Sequence, residues 1–265
     1  MKRIVTAVLA VLMLAAVLCG CQAGKKTKLV ILDTEYAVED YAICISKDRE
    51  DLLNDIDGAL SALIADGTVQ KVIDHYISGA AKDYTFQQNV AADAPELIMA
   101  TNAAFPPYEF YENNAIVGID ADIAAAIADE LGMKLNIVDT EFGSIIGGVQ
   151  TGKYHIGMAG MTVTDERKQN VNFSTTYATG IQSVIVKEGS AIKSVDDLYA
   201  EGAAYVVGVQ QDTTGDIYAT DDFGESRVIK YSKGADAVQA LLTGKVDCVI
   251  IDNEPAKSFV ATNNK

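Results

Sequence analysis

The stretch LIMATNAAFPPYEF, residues 97–110, indicates the fold class when it is compared with the residues that follow it. Its first four residues are apolar and predict a short buried strand. The strand ends at the polar pair Thr101-Asn102, and the Pro106-Pro107 pair then excludes a helix, because each proline restricts the residue before it. A helical pattern follows at residues 122–131. The local order is therefore strand, polar strand end, loop and helix.

The same alternation recurs along the chain. Apolar runs that predict strands lie at residues 29–32, 41–45, 135–138, 156–159, 184–186, 205–209, 228–231 and 246–251. Helical spacing lies between them, at residues 48–76 with a break at Asp66-Gly67, and at 144–150, 194–198, 215–219 and 235–242. Strands that alternate with helices predict βαβ units, largely parallel sheets and an α/β fold.

Two parts of the chain resemble each other. Residues 148–153 and 237–245 both join a helical pattern to a buried strand through a Gly-Lys pair. A glycine before a basic residue is common at the end of a helix, so the similarity also has a purely local explanation. Two such units nevertheless favour two similar α/β lobes.

The first 21 residues predict export. The basic start Met1-Lys2-Arg3 precedes an apolar run at 4–18 and then Leu18-Cys19-Gly20-Cys21, which is the order of a secretory signal. The apolar run is shorter than the ~20 residues that a spanning helix needs. The Leu-x-Gly-Cys ending resembles a bacterial lipobox, in which the cysteine, here Cys21, receives lipid; an ordinary signal peptide with a chance cysteine is the alternative. We expect an exported protein, attached to the cell membrane on its extracytoplasmic face by the lipid anchor alone, with residues 22–28 as a tether.

Composition limits the partners. The formal net charge is −16, and removal of Lys2 and Arg3 with the signal takes away two positive charges and leaves −18. A surface this acidic argues against binding nucleic acid or anionic lipid. With two histidines and no Cys/His spacing, the chain suggests no metal site. Cys44 and Cys248 lie in apolar runs, which favours buried thiols over the disulfide that export would permit.

Polar side chains follow the predicted strands. In open α/β sheets, ligands bind beyond the carboxyl ends of the strands. The candidates in these positions are Thr101, Asn102, Phe105, Gly160, Thr162, Arg167, Gln210, Thr213, Thr214 and Asp252.

These residue types suit an amino-acid zwitterion. Arg167 can bind a carboxylate through two parallel hydrogen bonds. Thr162 and Thr214 offer hydroxyl groups, and Thr214 opens a helix whose N-terminus favours an anion. Asp252 can accept an ammonium group, and Phe105 offers an apolar wall. Each residue alone could be a surface or capping residue, but their joint placement at strand ends favours a ligand site.

A series of short motifs carries a resemblance to a known family. In order they are TNAAFPPYEF at 101–110, GID at 118–120, GMAGMT at 157–162, TDER at 164–167, NFS at 172–174, GVQ at 208–210 and DNE at 252–254. Together they resemble family 3 of the bacterial extracellular solute-binding proteins, which serve polar amino-acid ABC importers. The resemblance covers nearly all of residues 29–265. It implies a two-lobed periplasmic-binding-protein type II fold, in which two α/β lobes joined by a two-strand hinge close on an amino acid.

The resemblance also implies which residues bind the backbone groups of the ligand. Arg167 would pair with the α-carboxylate, helped by Thr162 and Thr214. Asp252 and the Gly160 carbonyl would take the α-ammonium group.

A second group of residues would bind the side chain of the ligand. Phe105 and Phe142 would flank it, and Asn102 and Gln210 would contact its tip. Asn102 is neutral where binders of cationic ligands often carry an acid, which favours a neutral polar ligand. Asp120 or Glu109 could still serve a basic one.

The order of the segments differs from the order in the family. Residues 29–77 resemble the family's C-terminal stretch, the return hinge with part of the large lobe, yet they come first. This favours a circular permutation, with the old termini joined by a linker at 78–95, the large lobe at 96–183 and the small lobe at 184–265. Permutation is physically reasonable where termini are close and exposed. A rearranged chain whose pieces pair between molecules is the alternative.

Three functions are compatible with this pattern. The first is a monomeric binding protein that delivers an amino acid to an ABC transporter permease, with affinity coupled to lobe closure and no chemistry. The second is a tethered sensor for a receptor. The third is an enzyme resembling the periplasmic cyclohexadienyl dehydratases, which would need Glu109 or Glu254 as its general acid. We expect the first, with no catalytic residue, metal or cofactor.

Overall fold

The computed structural model describes residues 27–81 and 84–265. The strands are β1 (Leu29–Ile31), β2 (Ala37–Tyr41), β3 (Cys44–Ser46), β4 (Glu96–Thr101), β5 (Ala104–Phe105), β6 (Glu109–Glu112), β7 (Ala115–Val117), β8 (Lys134–Asp139), β9 (Ile156–Gly157), β10 (Val171–Phe173), β11 (Ala178–Lys187), β12 (Val207–Gln210), β13 (Val228–Tyr231) and β14 (Cys248–Asp252). The α-helices are α1 (Glu50–Ala65), α2 (Thr68–Ile73), α3 (Ile119–Glu130), α4 (Ile145–Gln150), α5 (Asp165–Lys168), α6 (Thr214–Phe223), α7 (Gly234–Thr243) and α8 (Asn253–Asn263). The predicted signal peptide and Cys21 lie outside the described residues.

Most of the strands form one main sheet in each of two lobes, and β5, β6 and β7 form a separate small sheet. The large-lobe sheet has the order β10-β3-β9-β4-β8, and the small-lobe sheet has the order β1-β11-β14-β12-β13, with β2 also paired to β11. Strands β4, β8 and β9 run parallel, as do β12, β13 and β14. The two-lobed α/β fold predicted from the sequence is therefore confirmed.

The antiparallel pairs β2–β11 and β3–β10 flank the two points where the chain passes between the lobes. The predicted strand at 41–45 is split into β2 and β3, because Ala42-Ile43 crosses from one sheet to the other. Residues 174–177 make the second crossing, between β10 and β11. The crossings pair with each other: the Ser174 amide donates to the Ile43 carbonyl at 2.9 Å, and the Tyr177 amide donates to the Tyr41 carbonyl at 3.0 Å. These two segments are the hinge.

Strand β11 differs most from the sequence-based prediction. It spans ten residues, whereas the sequence predicts only the three apolar residues at 184–186. The prediction is too short because the polar pair Gln182-Ser183 interrupts the apolar pattern, although both side chains are buried. The sequence predicts the boundary between the lobes at residues 183/184, which falls inside this strand. The chain passes between the lobes earlier, at residues 174–177.

Helices α1 and α2 cover the large-lobe sheet together with α3. The predicted break at Gly67 is confirmed: α1 ends at Ala65, and Gly67 adopts a left-handed φ of 84° before α2 begins. Leu52, Ile56 and Leu60 repeat at helical spacing and are buried in one cluster with residues of α3. Residues 79–81 and 84–95, in the predicted linker, contain no helix or strand.

Cys44 and Cys248 are buried free thiols, as the sequence predicts. Cys44 lies in the large-lobe sheet and Cys248 in the small-lobe sheet. Burial raises the pKa of each thiol to about 12. Among the residues that the structure describes, no helix has the length and apolar composition needed to cross a membrane.

Candidate ligand-binding site

A small cavity of about 10 Å³ lies between the lobes. Its lining includes all nine residues proposed from the sequence, namely Asn102, Phe105, Phe142, Gly160, Thr162, Arg167, Gln210, Thr214 and Asp252. The lining also includes Ala159, Thr213 and Glu109. The sequence does not predict Ala159 there, it indicates Thr213 only as a residue that follows a strand, and it indicates Glu109 only as an alternative partner for a basic ligand. The structure therefore brings the whole predicted set together, at the carboxyl ends of strands from both sheets.

Arg167 spans the gap between the lobes. Its Nη1 donates to the Thr162 carbonyl at 2.9 Å and its Nη2 donates to the Asp212 carbonyl of the small lobe at 3.1 Å. The guanidinium carbon lies 5.2 Å from the centroid of the Phe142 ring. Thr164 caps α5 by accepting from the Arg167 amide, which helps to orient Arg167. Burial lowers the pKa of Arg167, whereas the charge of the nearby Glu39 raises it.

Thr162 and Thr214 meet across the lobes, with 3.3 Å between their hydroxyl oxygens. Thr214 is the first residue of α6, which Thr213 caps by accepting from the Asp216 amide. The start of this helix therefore faces the cavity beside Arg167. An N-terminus in this position favours an anionic group of a ligand.

Glu39 is a buried residue next to the site that sequence reasoning missed. Its Oε2 accepts from Gln182 at 3.0 Å, and its exposed fraction is 4%. The alternation of residues in β2 could have indicated this burial, because Glu39 and Tyr41 lie on one face of the strand and their exposed neighbours lie on the other.

Asp252 stands at the end of β14 and precedes α8. The Tyr41 hydroxyl on the hinge donates to its Oδ1. Burial raises the pKa of Asp252 to about 7, and the charge of Glu39 adds to the effect. A buried carboxylate of this kind is stabilised by a cationic partner.

Asn102 and Gln210, from opposite lobes, are hydrogen-bonded to each other, so the cavity does not separate them. Gln210 donates to Asn102 Oδ1 at 3.0 Å, while Asn102 donates to the Thr140 carbonyl at 2.8 Å. Gln210 Oε1 accepts from the Gly234 amide at 3.2 Å. Because protein groups occupy both amides in this closed arrangement, the neutrality of Asn102 does not by itself indicate a neutral ligand.

Two further acids, Asp120 and Glu109, are buried near Phe105, and Glu109 lines the cavity. Asp120 is 0% exposed and accepts from the Gly160 amide at 2.7 Å and from the Tyr177 hydroxyl at 2.8 Å. Gly160 has a left-handed φ of 52°, and a Cβ there would lie 2.9 Å from the Phe105 ring. Burial raises the pKa of Asp120 to about 6. Glu109 is 0% exposed, and burial followed by the charge of Asp120 raises its pKa well above the ordinary value.

The chain is similar to proteins that bind amino acids. The arginine-binding extracellular protein ArtP of Bacillus subtilis is 30% identical over 169 residues, which cover 64% of this chain and 66% of the relative. The L-arginine-binding protein of Pseudomonas aeruginosa is 30% identical over 166 residues, or 62% of each protein. The chain therefore spans slightly less than two thirds of the length of these two curated relatives.

Solved structures show the same relationship. An ancestral arginine-binding protein bound to glutamine is 38% identical, with a TM-score of 0.59 over 63% of this chain and 74% of that chain. The arginine-, lysine-, histidine-binding protein ArtJ from Geobacillus stearothermophilus is 34% identical, with a TM-score of 0.60 over 64% of this chain and 72% of that chain. These matches are shorter than the nearly complete resemblance expected from the motifs.

A family model agrees with these similarities. Residues 97–225 match the model described as bacterial extracellular solute-binding proteins, family 3. A family of binding proteins supports the expectation of affinity without chemistry, and an extracellular family supports the expected export. From the motifs, the fold and these similarities, we conclude that the chain belongs to family 3 of the bacterial extracellular solute-binding proteins.

Proposed function

We propose that this protein captures an amino acid between its two lobes outside the cytoplasm and delivers it to an ABC importer. One observation carries the proposal: Arg167 of the large lobe and Asp252 of the small lobe are both buried and line the same cavity. The α-carboxylate and α-ammonium groups are present in every amino acid. A buried cation and a buried acid on one cavity match both groups.

The carboxylate end of the ligand would lie between Arg167 and the start of α6. A guanidinium group has five donors, and two are used by the carbonyls of Thr162 and Asp212. The remaining fork suits a carboxylate, and the hydroxyl groups of Thr162 and Thr214 lie beside it. These contacts come from both lobes, so binding the carboxylate stabilises the closed form.

The ammonium end would lie at Asp252, with the Gly160 carbonyl as a second acceptor. The Tyr41 hydroxyl on the hinge already donates to Asp252, which orients the carboxylate toward the cavity. Phe105 and Phe142 would flank the ligand side chain, because both rings line the same space.

The names of related proteins support an amino-acid ligand and an importer. An Escherichia coli relative that is 29% identical over 174 residues is named ABC transporter arginine-binding protein 1. The ancestral arginine-binding protein has been solved with glutamine and with arginine. Delivery to a permease fits a two-lobed protein, because the closed form differs from the open form in shape.

Attachment to the membrane through lipid on Cys21 completes the proposal, with the protein acting as a monomer. Its support is the sequence LCGC at residues 18–21 after a basic and apolar start. Replacement of Cys21 by Ser should release the exported protein from the membrane fraction. If it remains there, the lipid anchor is wrong.

A thermal-shift panel of the twenty amino acids tests the binding proposal. A ligand that binds only the native state adds about 2.7 kcal/mol at about 100 times its Kd, so one or a few amino acids should raise the melting temperature by several degrees. Arg167→Ala should abolish the rise. Arg49→Ala is the matched control, because Arg49 lies on the surface beside Asp51. No rise with any amino acid, or a full rise in Arg167→Ala, would contradict the proposal.

A further inference from the structure

The start of α6 carries a capping arrangement that reaches beyond the helix. Thr213 caps the helix, and Asp216 stands three residues later, which is the spacing of a capping box. In a capping box the later side chain accepts from the amide of the capping residue. Here Asp216 Oδ2 accepts from the amide one residue earlier, that of Asp212, at 2.9 Å. Asp216 therefore holds the turn before the helix as well as the helix start.

The carboxylate of Asp216 is buried and has donors on both oxygens. Its residue is 3% exposed, and its Oδ1 accepts from the Thr220 hydroxyl at 3.0 Å and from Lys230 Nζ of β13 at 2.9 Å. Hydrogen bonds to a charged group are strong, and together these donors give the carboxylate one orientation. A helix cap needs only one such bond, so Asp216 is fixed more firmly than capping requires.

The backbone of Asp212 is strained and faces the other lobe. Its φ of 64° is left-handed, a conformation that residues other than glycine adopt at a cost. The bond from its amide to Asp216 holds it in that conformation. Its carbonyl accepts from Arg167 Nη2 of the large lobe at 3.1 Å. The turn that Asp216 holds is therefore the turn that meets Arg167 across the lobes.

Asp216 lies outside the ligand cavity. Together with Asp212 and Lys230 it lines a separate open space of about 450 Å³ between the lobes. Arg167 and Phe142 line both this space and the ligand cavity. Asp216 can therefore act on a ligand in the cavity only through its charge at a distance, or through the turn and Arg167.

We propose that Asp216 is a positioning residue for the ligand carboxylate: it holds residue 212 so that the carbonyl there fixes one arm of the Arg167 guanidinium in the closed protein. The Thr162 carbonyl fixes the other arm from within the large lobe. The remaining donors of Arg167 then face the carboxylate, and two parallel bonds form only if the guanidinium plane is correctly turned. This assignment rests on the proposed function and adds a residue outside the cavity on which that function depends.

The preference for a carboxylate over a carboxamide tests the assignment. Calorimetry compares the amino acid with the largest rise in the thermal-shift panel and its own α-carboxamide, which is argininamide in the case of arginine. The wild-type protein should bind the amino acid at least about tenfold more tightly, since hydrogen bonds between charged groups are the stronger ones. Asp216→Ala should reduce this preference at least about threefold, by weakening the amino acid while the affinity for the carboxamide stays nearly constant.

Asp221→Ala is the matched control. Asp221 is an exposed aspartate on the same helix and lines the same open space. By charge alone, loss of a negative group near the cavity favours an anionic ligand group. Asp221→Ala should therefore leave the preference unchanged or slightly higher, whereas the decrease expected for Asp216→Ala has the opposite sign.

Two further variants separate the turn from the stability of the helix. Asp212→Gly lets residue 212 adopt its left-handed backbone without help, so adding it to Asp216→Ala should restore at least half of the lost preference. Asp216→Asn keeps the shape of the side chain and removes its charge and one acceptor. It should lower the preference in the same direction by about twofold, and it replaces Asp216→Ala if that variant does not fold.

The outcomes distinguish this assignment from the proposed function. If the Asp216 variants weaken the amino acid and its carboxamide equally, Asp216 serves only the small-lobe fold and the assignment is wrong. It is also wrong if Asp221→Ala lowers the preference as much, or if Asp212→Gly restores nothing. In each of these cases the amino-acid proposal stands. If the wild-type protein binds no amino acid, the proposed function fails and the assignment fails with it.

Discussion

Leu29 and Asn264 are 235 residues apart in the chain and are joined by two hydrogen bonds. The Leu29 amide donates to Asn264 Oδ1 at 2.9 Å, and Asn264 Nδ2 donates to the Leu29 carbonyl at 2.9 Å. The end of α8 therefore lies directly beside the start of β1, at one edge of the small-lobe sheet. In the segment order of the family, β1 would follow α8 directly. A short connection between these two points would be enough for that order.

We propose that the segment order is a circular permutation, and a reconnected chain tests it. Residue 265 would be joined to residue 27 by a short Gly/Ser loop, and the chain would be opened in the linker at 84–95. We expect a folded monomer with the same ligand preference, because a short loop between neighbouring ends costs little closure entropy. Size-exclusion chromatography and ligand-induced thermal shift measure the result.

The control for the reconnected chain has its opening inside α3 instead. That helix is part of the main buried cluster, so this chain should not fold. If the chain opened in the linker instead forms dimers or fails to fold, exchange of segments between molecules becomes the better explanation of the segment order.

Periodic elements could be predicted from the sequence because each obeys a local rule. The break at Gly67 and the two turns at Gly152 and Gly244 follow from glycine's tolerance of the left-handed backbone, and all three have φ between 73° and 84°. Eight of the nine cavity residues follow predicted strands, where ligands collect whatever the details of packing, whereas Phe142 was expected from the family resemblance alone.

Residues whose importance depends on distant contacts could not be found in this way. Gln182 and Glu39 interrupt apolar runs, and only the pairing of β2 with β11 brings them together. Glu109 follows two prolines in a loop-like stretch, so its complete burial depends on the small sheet of β5, β6 and β7. The neutral side chain of Asn102 is a weak guide to the ligand, because its bond to Gln210 of the other lobe does not follow from the sequence.

The Tyr41 hydroxyl should control the pH dependence of ligand binding. Burial raises the pKa of Asp252 to about 7, and the hydrogen bond from Tyr41 keeps this pKa from rising further. Tyr41→Phe removes that bond, so more of Asp252 is protonated at a given pH and fewer molecules can bind an ammonium group. We expect about tenfold weaker binding at pH 6.5 and a smaller loss at pH 8.5, measured by calorimetry.

Tyr108→Phe provides the comparison for Tyr41→Phe. The Tyr108 ring packs edge-on against Tyr41, with 5.3 Å between the ring centroids, so this change removes a hydroxyl from the same region. It should leave the pH dependence close to that of the wild type. Equal effects of the two substitutions would show that the bond from Tyr41 to Asp252 is not the cause.

The ligand-free protein should lose stability as the pH rises from 5 to 7. The pKa of Asp252 is raised from 3.8 to about 7 and that of Asp120 to about 6, so the folded state holds protons that the unfolded state has already lost. Folding stability therefore decreases through this interval and levels off above it. Between pH 5 and pH 7 the stability contributed by Asp252 decreases by roughly 2 to 3 kcal/mol, at about 1.36 kcal/mol for each pH unit below its raised pKa.

Urea unfolding of ligand-free protein at several pH values between 5 and 8 measures this effect. Asp252→Asn should flatten the curve, because the amide does not titrate. An exposed aspartate such as Asp165 serves as the control, and Asp165→Asn should leave the slope unchanged. A stability that rises throughout this interval in the wild type would contradict the assignment of the raised pKa values.

Gly143 should limit how closely the lobes approach each other. A Cβ at this position would lie 2.2 Å from Oδ2 of Asp212 on the small lobe, closer than two atoms without a bond can be. Gly143→Ala therefore opposes closure, and overpacking of this kind should weaken ligand binding by about tenfold. Gly147→Ala, one helical turn away, is the control, because a Cβ there has no neighbour within 4 Å.

A second substitution should reverse the effect of Gly143→Ala. Asp212 has a left-handed φ of 64°, which glycine adopts without strain, so Asp212→Gly removes the clashing carboxylate and preserves the backbone. The Arg167 bond to the residue 212 carbonyl would also be preserved, since it involves the backbone. Affinity should return most of the way to the wild-type value in the double variant. If it does not, the loss in Gly143→Ala arises within the large lobe and not from contact between the lobes.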